Sequence, residues 1–107
     1  MTSYKLVKND TCLCYGHLYI DEELKKAILL GYPLSLTKTE YQILLAIMKC
    51  NGKPVTASKI SELCGLELTN QNVSFHISSI NRKAKAIGNR LLIKNLVKIG
   101  YFLNEEM

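Results

Sequence analysis

No apolar run in this sequence approaches the roughly 18 consecutive residues that a membrane-spanning helix requires, so no membrane segment is expected. The opening Met1-Thr2-Ser3-Tyr4-Lys5 lacks the apolar core of a secretory signal. A cytoplasmic protein is therefore expected. Paired C-x2-C and H-x3-5-H knuckles, the usual frame of a zinc site, are also missing. The cysteines are Cys12 and Cys14, with His17 three residues on, and the isolated Cys50 and Cys64. Cys12, Cys14 and His17 have no evident fourth ligand, and a reducing compartment disfavours disulfides. Reduced structural thiols are expected, with no metal and no cofactor. A thiol catalyst would need an adjacent base in an electropositive setting. No such cluster is visible, so the chain is not read as an enzyme.

At 107 residues the chain is read as one domain, 1–107. An apolar content of 48% is enough for a single core and too high for a disordered chain. Net charge is +5 and unevenly spread. Residues 1–52 carry six Lys/Arg against five Asp/Glu. Residues 53–100 carry eight (Lys53, Lys59, Arg82, Lys83, Lys85, Arg90, Lys94, Lys98) against Glu62 and Glu67. A positive field confined to one half of a small domain points to an anionic partner, most often nucleic acid.

Residues 1–36 read as short strands: 4–8, Leu13 to Ile20, 26–30 and 34–36, an antiparallel sheet of four strands. At Thr37 the period changes. Thr37-Lys38-Thr39-Glu40 is a capping box. Tyr41, Leu44, Leu45, Ile47 and Met48 then form a helical stripe, stopped at Asn51-Gly52. Thr56 starts a short second helix that ends at Gly65. A loop spans 66–70. The third helix covers 71–87, with Val73, Ile77, Ile80, Ala84 and Ile87 at steps of four and three as its buried face. Advancing about 100° per residue, the opposite side holds Phe75, Ser78, Ser79, Arg82, Lys85 and Ala86. Asn72, His76 and Lys83 lie on a flank. Gly88-Asn89 ends the helix, and 91–94 and 97–103 read as a hairpin turning near Asn95, within a wing segment 89–103. The fold class is α+β: a winged helix-turn-helix with an N-terminal four-stranded antiparallel sheet (1–36), three helices (37–88) and a C-terminal β-hairpin wing.

Four segments resemble the OmpR/PhoB-type winged-helix DNA-binding domain of bacterial response regulators. They are Leu36-Thr37-Lys38-Thr39-Glu40-Tyr41-Gln42-Ile43-Leu44, Val55-Thr56, Val73-Ser74-Phe75-His76-Ile77-Ser78-Ser79-Ile80-Asn81-Arg82-Lys83, and Gly100-Tyr101-Phe102-Leu103. Each is weak alone; four in order with matching spacing are specific, and they span nearly the whole chain. Ser79 and Asn81 stand where that family usually has arginines. Val97 replaces the wing arginine, and Lys98 replaces the first glycine of its Gly-x-Gly-Tyr. The family's receiver domain, with its phosphorylated aspartate, lies outside the matched region. An excised output domain and a stand-alone protein both fit the sequence.

The resemblance implies a sequence-specific double-stranded DNA-binding transcription regulator of the two-component type. Helix 71–87 would enter the major groove, and hairpin 91–103 would act as the wing. The expected DNA-contacting residues are Gln71, Asn72, Phe75, His76, Ser78, Ser79, Arg82, Lys83, Lys94 and Lys98. Arginine can grip phosphate or guanine, lysine acts as a point charge, and a Phe75 ring could pack on a thymine methyl. The resemblance also implies head-to-tail dimers on DNA and a contact of loop 66–70 with RNA polymerase. The alternative reading is a winged-helix protein–protein interaction module, favoured by the missing arginines at Ser79 and Asn81.

Overall fold

In the computed structural model, which describes residues 6–9, 11–88 and 90–104, the chain runs through five short strands, three helices and a hairpin. The strands are β1 (Val7–Asn9), β2 (Cys12–Tyr15), β3 (Leu18–Asp21), β4 (Lys26–Leu29) and β5 (Tyr32–Leu34). They form one antiparallel meander in the order β1-β2-β3-β4-β5. The sheet has five strands where the sequence pattern gives four. The stretch Leu13 to Ile20 is not one strand, because Gly16-His17 forms a tight turn inside it and Tyr15 pairs with Leu18. Apolar content on both sides of that turn conceals it. The last strand also starts two residues early. Leu30 and Gly31 both have positive φ (53° and 83°), so they close β4 onto β5 as a two-residue hairpin turn.

Alternation along the strands puts Leu13, Tyr15, Leu18, Ile20, Ala27, Leu29 and Leu34 on the buried face. That face joins one core with Ile43, Leu44, Ile47 and Met48 of α1 (Lys38–Lys49), Ile60 of α2 (Ala57–Cys64), and Val73, Ile77, Ile80 and Ala84 of α3 (Asn70–Gly88). Both halves of the capping box form: Thr37 Oγ1 accepts from Glu40 N at 3.2 Å, and Glu40 Oε1 accepts from Thr37 N at 3.0 Å. Thr56 caps α2 in the same manner at Lys59 N, 3.1 Å. Gly65 ends α2 in a left-handed conformation, φ 68°.

The wing consists of β6 (Ile93–Leu96) and β7 (Gly100–Leu103), with Leu96 opposite Gly100. The turn therefore lies at Val97-Lys98-Ile99, two residues beyond Asn95. Lys98 adopts φ 67°, the left-handed conformation usually given to glycine, at the position where the resembled family carries one. The wing is fastened to the body at Val55. Its amide donates to Tyr101 O and its carbonyl accepts from Tyr101 N, both at 2.8 Å. Gly100 has φ 150°, and a Cβ there would sit 2.6–2.8 Å from the backbone of Val55. The glycine of the Gly-Tyr pair is thus set by close backbone approach.

The thiols are free. Cys12 Sγ lies 2.7 Å from Tyr19 Oη across β2 and β3. That hydrogen bond, with burial and nearby acidic groups, pushes the Tyr19 phenol up to about 12. Among the described residues no group of three His, Cys, Asp or Glu side chains is placed to hold a metal ion, and no helix is long and apolar enough to cross a membrane.

Candidate nucleic-acid interface

Helix α3 starts one residue earlier than its apolar period suggests. Thr69 is its cap: Oγ1 accepts from Asn72 N at 3.1 Å, and its carbonyl accepts from Val73 N at 3.0 Å. Gln71 and Asn72 therefore sit in the first helical turn and are exposed, and the preceding loop shortens to 66–69. That loop is tied to α2 through Ser61, whose Oγ donates to Leu66 O at 2.5 Å and accepts from Leu68 N at 3.0 Å. Glu67 remains exposed on it.

The residues of α3 outside its buried face include three groups, the first two drawn from the expected contact residues. Gln71, Asn72, Phe75, Ser78 and Arg82 form an exposed front. Phe75 is 70% exposed, and its ring meets that of His76 edge-on, centroids 5.7 Å apart at 70°. His76 is half-buried. Among the described residues, the guanidinium of Arg82 reaches back to Ser79 Oγ, at 3.4 Å.

The second group faces α1. Lys83 Nζ lies 2.5 Å from Glu40 Oε1, and Glu40 is only 3% exposed. Burial alone would raise the Glu40 carboxyl. Hydrogen bonds from Lys83, Ser79 and the Thr37 amide outweigh that effect and hold it below its ordinary value. Lys83 is thus placed as a clamp between α3 and α1. Ser79, half-buried between Glu40 and Arg82, serves the same junction. The third group faces the wing. Asn81 Nδ2 donates to Ile93 O at 2.9 Å, and Asn81 Oδ1 accepts from Ile93 N at 2.8 Å. A side-chain amide thus replaces a neighbouring strand at the start of β6. Asn104 closes the wing's other end: its amide donates to Leu92 O and its side chain to Leu91 O, both at 2.8 Å.

Lys94 is half-buried on β6 and Lys98 is exposed at the tip, apart from the α3 front but on the hairpin that Asn81 fixes to that helix. From Leu68 to Asn104 the chain contains no acidic residue, while Arg82, Lys83, Lys85, Arg90, Lys94 and Lys98 all fall there. A long unbroken positive stretch on one helix and one hairpin is an electrostatic footprint for a polyanion.

The parts that Asn81, Glu40 and Gly100 play in this arrangement are not written in the local sequence, where Gly100 reads only as the start of the closing Gly-Tyr motif. In sequence Asn81 reads only as a missing arginine. Its role depends on where β6 passes, which no local pattern encodes. Glu40 reads as a cap; its partnership with a residue 43 positions later is a tertiary fact.

No protein-family model matches the chain. No curated protein matches it either. Solved structures do. The DNA-binding domain of the response regulator AdeR, solved in complex with an intercistronic region, superposes with a TM-score of 0.77 at 24% identity, covering 86% of this chain and 97% of that one. The DNA-binding domain of CpxR from E. coli superposes at 0.67 with 25% identity, covering 92% and 94%. The Thermotoga maritima OmpR/PhoB homologue DrrB superposes at 0.73 with 29% identity over 88% of this chain, which spans 44% of DrrB. Five strands, three helices and a fastened wing, matched along nearly the whole length of two such domains, make this chain a winged-helix domain of the OmpR/PhoB type in fold.

Proposed function

We propose that this protein is a sequence-specific double-stranded DNA-binding transcription regulator. The observation that carries the reading is the exposed front of α3. Gln71, Asn72, Phe75, Ser78 and Arg82 are free of the core, on a helix with no acidic residue and with a basic hairpin fastened beside it. A helix about 10–12 Å across fits a major groove about 12 Å wide. Gln71, Asn72 and Ser78 offer both donors and acceptors to base edges or phosphates, and Arg82 offers a fork for guanine or phosphate. The Phe75 ring offers an apolar face to a thymine methyl. His76 and Ser79 line the edge of this front, where phosphates would pass. Lys94 and Lys98 contact the backbone at the wing, and Lys83 acts mainly through its clamp on Glu40. Such a protein works in the cytoplasm as a head-to-tail pair on direct repeats, with loop 66–69 and Glu67 turned toward RNA polymerase.

A second reading, a winged-helix protein-interaction module, draws on Asn81 and Ser79. These family arginine positions carry no charge here, and both side chains are engaged within the protein, Asn81 with Ile93 and Ser79 with Glu40. Selection of duplexes from a random-sequence pool at near-physiological salt separates the two. Enriched direct repeats spaced by about one helical turn support the regulator. Affinity should then fall steeply as salt rises. A pool with no enriched sequence removes the regulator reading and leaves the interaction module.

A further inference from the structure

The wing tip has an unexpected chemistry for a hairpin beside a DNA-facing helix. Val97 is 73% exposed, Ile99 54% and Leu96 45%, and Lys98 is the lone charge among them. Phosphates offer nothing to aliphatic side chains. The base of the same hairpin is held on three sides: by Asn81 on Ile93, by Val55 on Tyr101, and by Asn104 on Leu91 and Leu92. A firmly held base with a free apolar tip can transmit force to whatever the tip enters.

We propose that Val97 and Ile99 form an apolar wedge that enters the minor groove beside the α3 site and unstacks a base step there, with Lys94 and Lys98 on the flanking phosphates. This deepens the DNA-binding reading and rests on it. Aliphatic side chains inserted at a base step are an established means of kinking a duplex. The dimensions agree. The tip lies roughly 13 Å along the strand from the Asn81 attachment, at about 3.3 Å per residue. That is the scale on which the next groove follows a major groove about 12 Å wide. A whole two-stranded ribbon is a major-groove-sized object, so only the Val97 and Ile99 side chains at its turn would reach into a minor groove about 6 Å wide. The stretch without acidic residues makes a duplex a better occupant than an acidic or mixed protein surface. Flexible pyrimidine–purine steps would be preferred at the wedge, giving sequence preference without hydrogen bonds to bases.

The test uses the full chain and the duplexes recovered by the selection above, with single 2-aminopurine substitutions walked through the flank. Wild type should raise 2-aminopurine fluorescence at one flanking step. The Val97→Ser/Ile99→Ser double variant should abolish that rise and weaken binding at least about tenfold. Its slope of log K against log salt should stay unchanged, because no charge is removed. Val97→Leu/Ile99→Leu should keep the signal. Both variants change exposed residues only, and thermal melting checks that they fold. Tight binding by wild type with no unstacked step overturns the wedge and leaves the regulator reading intact. So does a Ser variant that binds as wild type. Self-association of wild type without DNA, lost in the Ser variant, overturns the wedge in favour of a protein contact. If no duplex is selected at all, the DNA-binding reading falls and the wedge with it.

Discussion

Arg82 and Lys83 are adjacent in sequence and both cationic, yet α3 points them to different tasks. Lys83 Nζ lies against the buried carboxylate of Glu40, whereas Arg82 stays on the exposed front and, among the described residues, reaches Ser79 on its own helix. The same division runs along the whole polar side of the helix. Among the described residues, Asn81, Ser79 and Lys83 are fastened to the wing or to α1, and Gln71, Asn72, Phe75, Ser78 and Arg82 are exposed. Fastened polar groups set the position of the front, and on the proposed function the front is the part that meets DNA. Mutation should therefore separate stability from binding residue by residue.

The most severe break falls on the fastened side. Gly100→Val would drive a Cβ into the backbone of Val55 at a φ of 150°. Either the wing detaches or the link between α1 and α2 shifts. A loss on the order of 4 kcal/mol is expected in urea unfolding, with DNA binding lost as a consequence. Unchanged stability would mean that the Val55–Tyr101 bridge contributes little to holding the wing.

Next comes the clamp. Glu40→Gln keeps the shape and part of the capping bond but leaves the Lys83 ammonium without its charge partner. A loss of about 2 kcal/mol at neutral pH is expected. The pH dependence follows from the direction of the shift. The carboxyl is held below its ordinary 4.5 in the folded state. The unfolded chain therefore binds the proton more readily, and the clamp's contribution is complete above about pH 4.5 and disappears as pH falls through the folded-state value. Wild type should lose stability between neutral pH and pH 3 by more than Glu40→Gln does. Parallel pH profiles for the two proteins would place the main stabilising charge elsewhere.

Asn81→Ala is smaller again. It removes two hydrogen bonds and leaves the Ile93 N–H and C=O to find water at a part-buried site, costing about 1–2 kcal/mol. Binding should weaken with it through a loosened wing, and Asn81→Asp should rescue only the bond donated by Ile93 N. Selective loss of hydrogen-exchange protection at Ile93 would mark the effect as local. Loss spread evenly over α3 would argue against Asn81 as the wing's attachment.

This division was only partly legible in the sequence. Periodicity located α1, α2 and the buried face of α3, because a helix written against a core repeats every three to four residues. The turns were harder to see. Gly16-His17 lies between the apolar triplets Leu13-Cys14-Tyr15 and Leu18-Tyr19-Ile20, and the wing turn at Lys98 is flanked by Val97 and Ile99, both of strong strand preference, so nothing local marks it. The candidate face was visible as polarity on the outer side of α3. Polarity alone could not say which groups are free. Asn81 resembles any exposed asparagine until β6 is seen to pass beside it, and Lys83 resembles any helix-surface lysine until Glu40 is found buried opposite.

The finest test of the comparison is a crossed pair at those two adjacent cations, read as a salt slope. Each phosphate contact removed should lower the slope of log K against log salt by about 0.9. Arg82→Ala should leave unfolding free energy within about 0.5 kcal/mol of wild type. It should either flatten the slope by that single step, if the guanidinium holds a phosphate, or relax preference at one base pair with the slope unchanged, if it holds a guanine. Lys83→Met should do the reverse. Stability falls because Glu40 is left buried without its cation, while the slope on DNA is unaltered because the ammonium was already neutralised inside the protein. A Lys83→Met protein with full stability and a flattened slope would show that the lysine leaves Glu40 to meet DNA. The clamp would then be a contact of the free protein alone, and the line between fastened and free residues would have to be drawn separately for the bound state.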